Sequence, residues 1–278
     1  MASVSFGTIS VLSPTDDWTA LTYVGVNVVS DYTEDVQATS ADLDLVGDSN
    51  HAAVYTKFDS PSDSLGFRFR MGGDQNPAGF SGQVWVGADV NADGNLDIFI
   101  GANDTSITLN YASDGENISP STTTIDTKNP IASNPVTAAN FNWTPVTLGV
   151  SGNDPDGLST DIDGDLNPKN KSGTDYFLTF TLDFSALETA INNLAGISGF
   201  TSASSIAYVT GTATQGNTLN SDLNGISGGT NDNSTWESLG AITPELGVDG
   251  VVVPEPALMA SFIAGLSLLF AGLRRRRA

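Results

Sequence analysis

Between Leu65 and Met71 every second residue is apolar: Leu65, Phe67, Phe69 and Met71 fall on one face, Arg68 and Arg70 on the other. A period of two is that of a half-buried β-strand. Tyr176, Leu178, Phe180 and Leu182 alternate with Phe177, Thr179, Thr181 and Asp183, so 175–184 reads as a second, longer strand. Short runs rich in Val, Ile, Phe, Tyr and Thr predict further strands at 18–29, 52–58, 83–88, 96–101, 106–111, 146–150 and 205–211, and the opening residues read as another. Clusters of Gly, Asn, Asp, Ser and Thr separate them. Many short strands punctuated by turn residues predict a mainly β protein, an antiparallel β-sandwich or jelly-roll-like body.

The period changes once within that body. Ser185 and Glu188 have the spacing of a capping box, and Leu187, Ile191 and Leu194 then recur at helical intervals up to Gly196. This predicts one short helix packed on or between the sheets. Residues 114–142, dominated by Ser, Thr, Asn and Pro, read as a long surface loop.

After Val253 the pattern breaks for good. Pro254-Glu255-Pro256 is followed by an uncharged apolar run, 257–273, and then by Arg274, Arg275, Arg276 and Arg277. As a helix the run would span about 26 Å, near the lower limit for a bilayer core. The arginines would hold the chain's end on the cytoplasmic side, leaving the body outside. Pro254 and Pro256 keep the motif extended, the backbone form that a protease requires. The division expected is a body at 1–247, a linker at 248–253 and a tail at 254–278. A processing signal and a permanent single-pass anchor both fit the physical pattern. No basic residue precedes Lys57, so the start lacks the cationic region of an export leader and reads as a mature domain whose true start lies upstream.

Composition narrows the function. Asp and Glu number 32 against 10 Lys and Arg, giving a formal charge of -22, so phosphate backbones are repelled and nucleic-acid binding is excluded. There is no cysteine, which removes disulfides, thiolate metal sites and cysteine nucleophiles. An acidic chain suits divalent cations and salty surroundings. The one histidine, His51, has Asp48 and Ser49 as close neighbours on a loop, a spacing that makes no catalytic triad. Of the four tryptophans, Trp18, Trp85 and Trp236 lie in apolar surroundings that predict core packing, although tryptophans also stack on sugars.

The densest chemistry lies between two strand-like runs, Val84-Trp85-Val86 and Ile98-Phe99-Ile100. Asp89, Asn91, Asp93 and Asp97 stand at positions 1, 3, 5 and 9 of a calcium loop, Gly94 at position 6, and Asn95 would offer its carbonyl at position 7. Position 12 is Ile100, not the carboxylate of an EF-hand. The arrangement resembles the calcium-binding β-hairpins of FG-GAP-type repeats. Water or another loop must complete the shell; the alternative is an acidic hairpin of Asx turns without metal. A second acidic run, Asp154 to Asp165, has no single-loop spacing and reads as a solvated loop or as a donor of further ligands.

The tail, an acidic proline motif, one apolar span and a terminal arginine cluster in that order, resembles the PEP-CTERM sorting signal of bacterial exported proteins. The resemblance implies cleavage near Pro254-Glu255-Pro256 by an exosortase, a membrane-embedded protease or transpeptidase, and delivery of the body to the cell surface or extracellular matrix. Asn76 to Gly82, Gly115 to Thr123, and the stretches Tyr208 to Asn217 and Thr235 to Gly240 resemble uncharacterised exported proteins of that group, which implies no activity for the body. The expectation is a structural or adhesive surface protein with structural calcium, not an enzyme, whose further partner is extracellular polysaccharide. The rival is a calcium-dependent carbohydrate-binding module, marked by an exposed aromatic pair beside an acidic loop. A glycan hydrolase would instead need two carboxylates about 5–10 Å apart in a cleft.

Overall fold

The computed structural model describes residues 9–13, 15–23, 40–47, 51–74, 79–146, 174–226 and 228–253. Its elements are β1 (Thr19–Ala20), β2 (Val54–Asp59), β3 (Ser64–Met71), β4 (Gln83–Asp89), β5 (Ile98–Ala102), β6 (Ser106–Tyr111), β7 (Ala132–Pro135), β8 (Phe141–Pro145) and β9 (Tyr176–Asp183). There follow α1 (Phe184–Asn192), β10 (Ser205–Ala213), β11 (Asp222–Leu223), α2 (Trp236–Leu239) and β12 (Leu246–Gly247). The protein is mainly antiparallel β, as its patterning implies. One sheet runs β1-β2-β3-β9-β8; the other runs β11-β10-β4-β5-β6-β7, with β12 also on β10. Among the described residues β4 to β7 follow one another within a sheet as a meander, where a jelly roll would alternate between sheets.

The two sheets share one core. Phe67 and Phe69 of β3 and Leu178 and Phe180 of β9 join Val84, Val86, Ile98, Ile100 and Tyr208 of the other sheet. The rings of Phe67 and Tyr208 meet edge to face across the gap at 5.6 Å. Phe67 pairs with Phe180, so the alternating apolar sets of both strands fall on the inner face. The second sheet is covered on its other face too: Trp85, Phe99 and Val209 pack against Leu219, Leu223, Trp236 and Ile242. Burial on both faces explains why β4 and β5 read as continuous apolar runs, not alternating ones.

The outer face of the first sheet corrects an expectation. Arg68 and Arg70 do point away from the core, but they are buried. Val11, Ser13, Thr15 and Trp18 cover Arg68, which donates to Thr15 Oγ1 (2.7 Å), Ser13 O (2.8 Å) and Val11 O (3.1 Å) and lies 4.6 Å from the Trp18 ring centroid. Loss of solvent lowers its pKa to about 10. Arg70 Nε donates to Asp175 Oδ2 at 2.7 Å, an ion pair closed to water on both sides.

Two local readings also change. The helix begins at Phe184 with Asp183 as its N-cap residue, two positions before the expected Ser185, and the Asp183 side chain caps nothing. Its first N–H groups are taken by Asp63, from Phe184 to the carbonyl (2.8 Å) and from Ser185 to Oδ2 (3.1 Å). Leu187 and Ile191 are buried as expected. The stretch 114–142 is not one surface loop, because it holds β7 and the start of β8 and buries Asn117, Ser119 and Thr123. Of the strand expected at 18–29, Thr19–Ala20 is seen and 24–29 lies outside the described residues. Val146 extends the β8–β9 ladder through Asp175 O (2.8 Å), and 147–150 lies outside them as well.

Residues 248–253, expected as a linker, fold back on the body. Val248 is buried, Leu246 bridges to Val252, and the Val253 N–H reaches Glu245 O at 3.4 Å. No helix among the described residues is long and apolar enough to cross a membrane; 257–273 lies outside them.

Candidate calcium hairpin and the acidic cleft beside it

Strands β4 and β5 pair from Val84↔Ala102 to Ala88↔Ile98 and present the loop 89–97 at one end of the second sheet. Asp89, the last residue of β4, is buried, and its carboxylate organises the loop. Oδ1 accepts the N–H groups of Asn91 (3.2 Å) and Ala92 (2.8 Å), and Oδ2 accepts that of Gly94 (2.8 Å). Asn91 Oδ1 accepts from Asp93 N (3.0 Å), and Asp93 Oδ1 from Asn95 N (2.9 Å). These are successive Asx turns. They curl the chain through positive φ at Ala92 (59°) and Gly94 (83°), the second being the residue at which a calcium loop requires glycine.

Asp97 closes the loop by accepting Val90 N–H at Oδ2 (3.0 Å). Its pKa is raised to about 6, first by burial and then by the charges of Asp89 and Asp93. The predicted ligands Asp89, Asn91, Asp93, Asn95 and Asp97 therefore do come together on one loop, and three of them repel one another. Among the described residues Asp93 accepts hydrogen bonds at Oδ1 and Asp97 at Oδ2, which leaves the other oxygen of each to face a cation. As the loop stands, no three acidic or imidazole side chains among the described residues gather closely enough to chelate an ion. Asn91 and Asp93 are exposed, so their side chains can turn inward without disturbing the core.

Asn117, which carried no sequence signal, clamps the hairpin from outside. Its carbonyl accepts Leu96 N–H (3.1 Å) and the Trp236 indole N–H (2.8 Å), while Asn95 Oδ1 faces its N–H at 3.4 Å. Its own side chain bonds Ser113 O, Gly115 O and Thr124 N. Thus one backbone carbonyl ties the acidic loop to α2.

Between the hairpin and the segment 235–245 lies an open cleft of about 490 Å³. Its apolar surface comes from Ile118, Trp236, Ile242 and Pro244, and its charged residues are Asp89, Asp93, Glu237 and Glu245, all acidic. None of these four makes an ion pair among the described residues. Glu245 Oε2 accepts the Ser205 hydroxyl at 2.7 Å.

The remaining sequence candidates are scattered. Trp18, Trp85 and Trp236 are buried, as their surroundings imply. Trp143 is only partly buried on the edge strand β8. It stacks on Tyr176 (5.0 Å, 17°), meets Phe80 on the inner side (5.5 Å) and donates its indole N–H to Asp74 (3.1 Å). His51 is buried, and its neighbours Asp48 and Ser49 lie outside the described residues. So do the acidic run Asp154 to Asp165, the motif Pro254-Glu255-Pro256 and Arg274 to Arg277. Comparison with protein-family profiles, curated proteins and solved structures finds no match to this chain.

Proposed function

We propose that this is an exported protein carried to the cell surface or extracellular matrix by a cleavable C-terminal sorting signal of the PEP-CTERM kind, with a structural or adhesive role and no catalytic one. The observation that carries the reading is the order of features after Val253: proline motif, one apolar span, terminal arginines. The folded stretch 246–253 supports it, because the motif starts at the residue after Val253, which is held to Glu245. An exosortase-like membrane enzyme would be the partner in processing.

Calcium is the cofactor this reading assigns to the body. Asp89, Asn91, Asp93 and Asp97 would supply side-chain oxygens and Asn95 its carbonyl, and a divalent ion would offset the burial and the neighbouring charges that together raise Asp97. The test of the sorting role is fractionation of the native cells. Wild-type body should appear outside the cytoplasm, and Glu255→Ala should hold the chain in the membrane fraction. Equal distribution of the two would count against sorting.

A second reading, a calcium-dependent carbohydrate-binding module, draws on the Trp143–Tyr176 stack beside Asp74. Binding to a glycan panel that is lost in Tyr176→Ala would favour it. Turnover of any glycan, abolished by one Asp or Glu substitution in the 490 Å³ cleft, would instead make the protein a hydrolase.

A further inference from the structure

We propose that the cleft between the hairpin and α2 is a docking site for a basic peptide segment, taking an arginine or lysine side chain together with an apolar neighbour. The inference does not rest on the sorting role or on calcium. Two features of the site converge on it. One is shape: the cleft is open to solvent and its volume of about 490 Å³ lies within the range of ligand sites. The other is charge. Every charged side chain lining the cleft is a carboxylate, and none has a cationic partner among the described residues, so the field there is negative and uncompensated.

The lining says which cation fits. Ile118, Ile242 and Pro244 offer apolar wall for an aliphatic stem, while Glu237 and Glu245 supply carboxylates for a guanidinium or ammonium head. A hydrated metal ion would gain nothing from the apolar wall. A sugar would want an exposed aromatic face, and Trp236 is buried, with its indole N–H already given to Asn117 O. A polypeptide bearing a basic residue beside an apolar one satisfies both parts. Glu237 and Glu245 lie outside the calcium loop, so the site keeps two charges when the hairpin is loaded.

The experiment uses the full chain in calcium-containing buffer and a capped leucine–arginine–leucine tripeptide, with shifts followed by NMR. Shifts should concentrate on the hairpin, Ile118 and α2, and a leucine–glutamine–leucine peptide should give none. The double variant Glu237→Gln, Glu245→Gln should weaken binding by about tenfold. The double variant Asp104→Asn, Asp183→Asn removes the same charge from exposed sites elsewhere and should change nothing. The glutamines can keep the Ser205 contact, so folding is not at stake. Equal loss in both double variants would show diffuse attraction to an acidic surface and overturn the proposal. So would absence of binding, or spermidine binding as tightly as the tripeptide.

Discussion

Asp97 shows what a single carboxylate costs this fold. Its folded pKa of about 6 lies above the ordinary 3.8, so the folded chain holds the proton more tightly than the unfolded one. Stability from this group is therefore full below pH 3.8 and is lost as pH rises through about 6. Asp97→Asn keeps an oxygen for the Val90 N–H and removes the repulsion. In chelator at pH 7 it should stabilise the chain by up to about 1 kcal/mol once solvent screening is allowed for, and below pH 4 by nothing. Thermal melts at the two pH values check this; an unchanged melting temperature at pH 7 would mean that neither burial nor the neighbouring carboxylates disfavour the charge on Asp97. Residue types were legible here because Asx turns and a left-handed glycine leave a local spacing in the chain. Arg68 and Arg70 were not. Alternation placed them correctly on the outer face, but the groups that take them up, Val11, Ser13 and Thr15 for Arg68 and Asp175 for Arg70, are distant in sequence.

At the scale of elements, the start of α1 separates local from tertiary signals. The Ser185–Glu188 spacing suggested a self-capped helix, yet the cap comes from Asp63, which sits at φ 51° in the turn before β3. Asp63→Ala loses that cap and the polar side chain that lets aspartate tolerate the left-handed position, at a cost of about 1–2 kcal/mol. Ser185→Ala should cost less than about 0.5 kcal/mol. Urea unfolding of both variants decides the matter, and the reverse order would restore the local cap. Strands with strict alternation or long apolar runs, β3, β4, β5, β9 and β10, could be read from sequence. Strands β7 and β8 could not, because Ala132–Pro135 and Phe141–Pro145 are short edge strands, each ending in proline and held by its neighbour's ladder.

The hairpin is the element on which the calcium assignment stands. An ion that binds only the folded state adds about 2.7 kcal/mol at a hundredfold excess over its Kd. Calcium should raise the melting temperature of the wild-type chain, and Asp93→Ala should abolish the rise, each variant being compared with its own melt in chelator. If calcium and chelator give the same melt in wild type, the loop is an acidic turn only.

For the whole molecule, a two-sheet core with both faces of one sheet covered holds together a body without cysteine, in a chain of formal charge -22. Leu246 and Val248 are buried in the body while Val251 to Val253 are exposed, so the proposed processing after Val253 would act on an accessible segment. The measurement that bears most directly on the account is intact-mass spectrometry of protein purified from its native host. A species ending between Val253 and Pro256, without Arg274 to Arg277, is the expected result. A full-length chain with all four arginines as the sole stable form would contradict it and make the tail a permanent anchor.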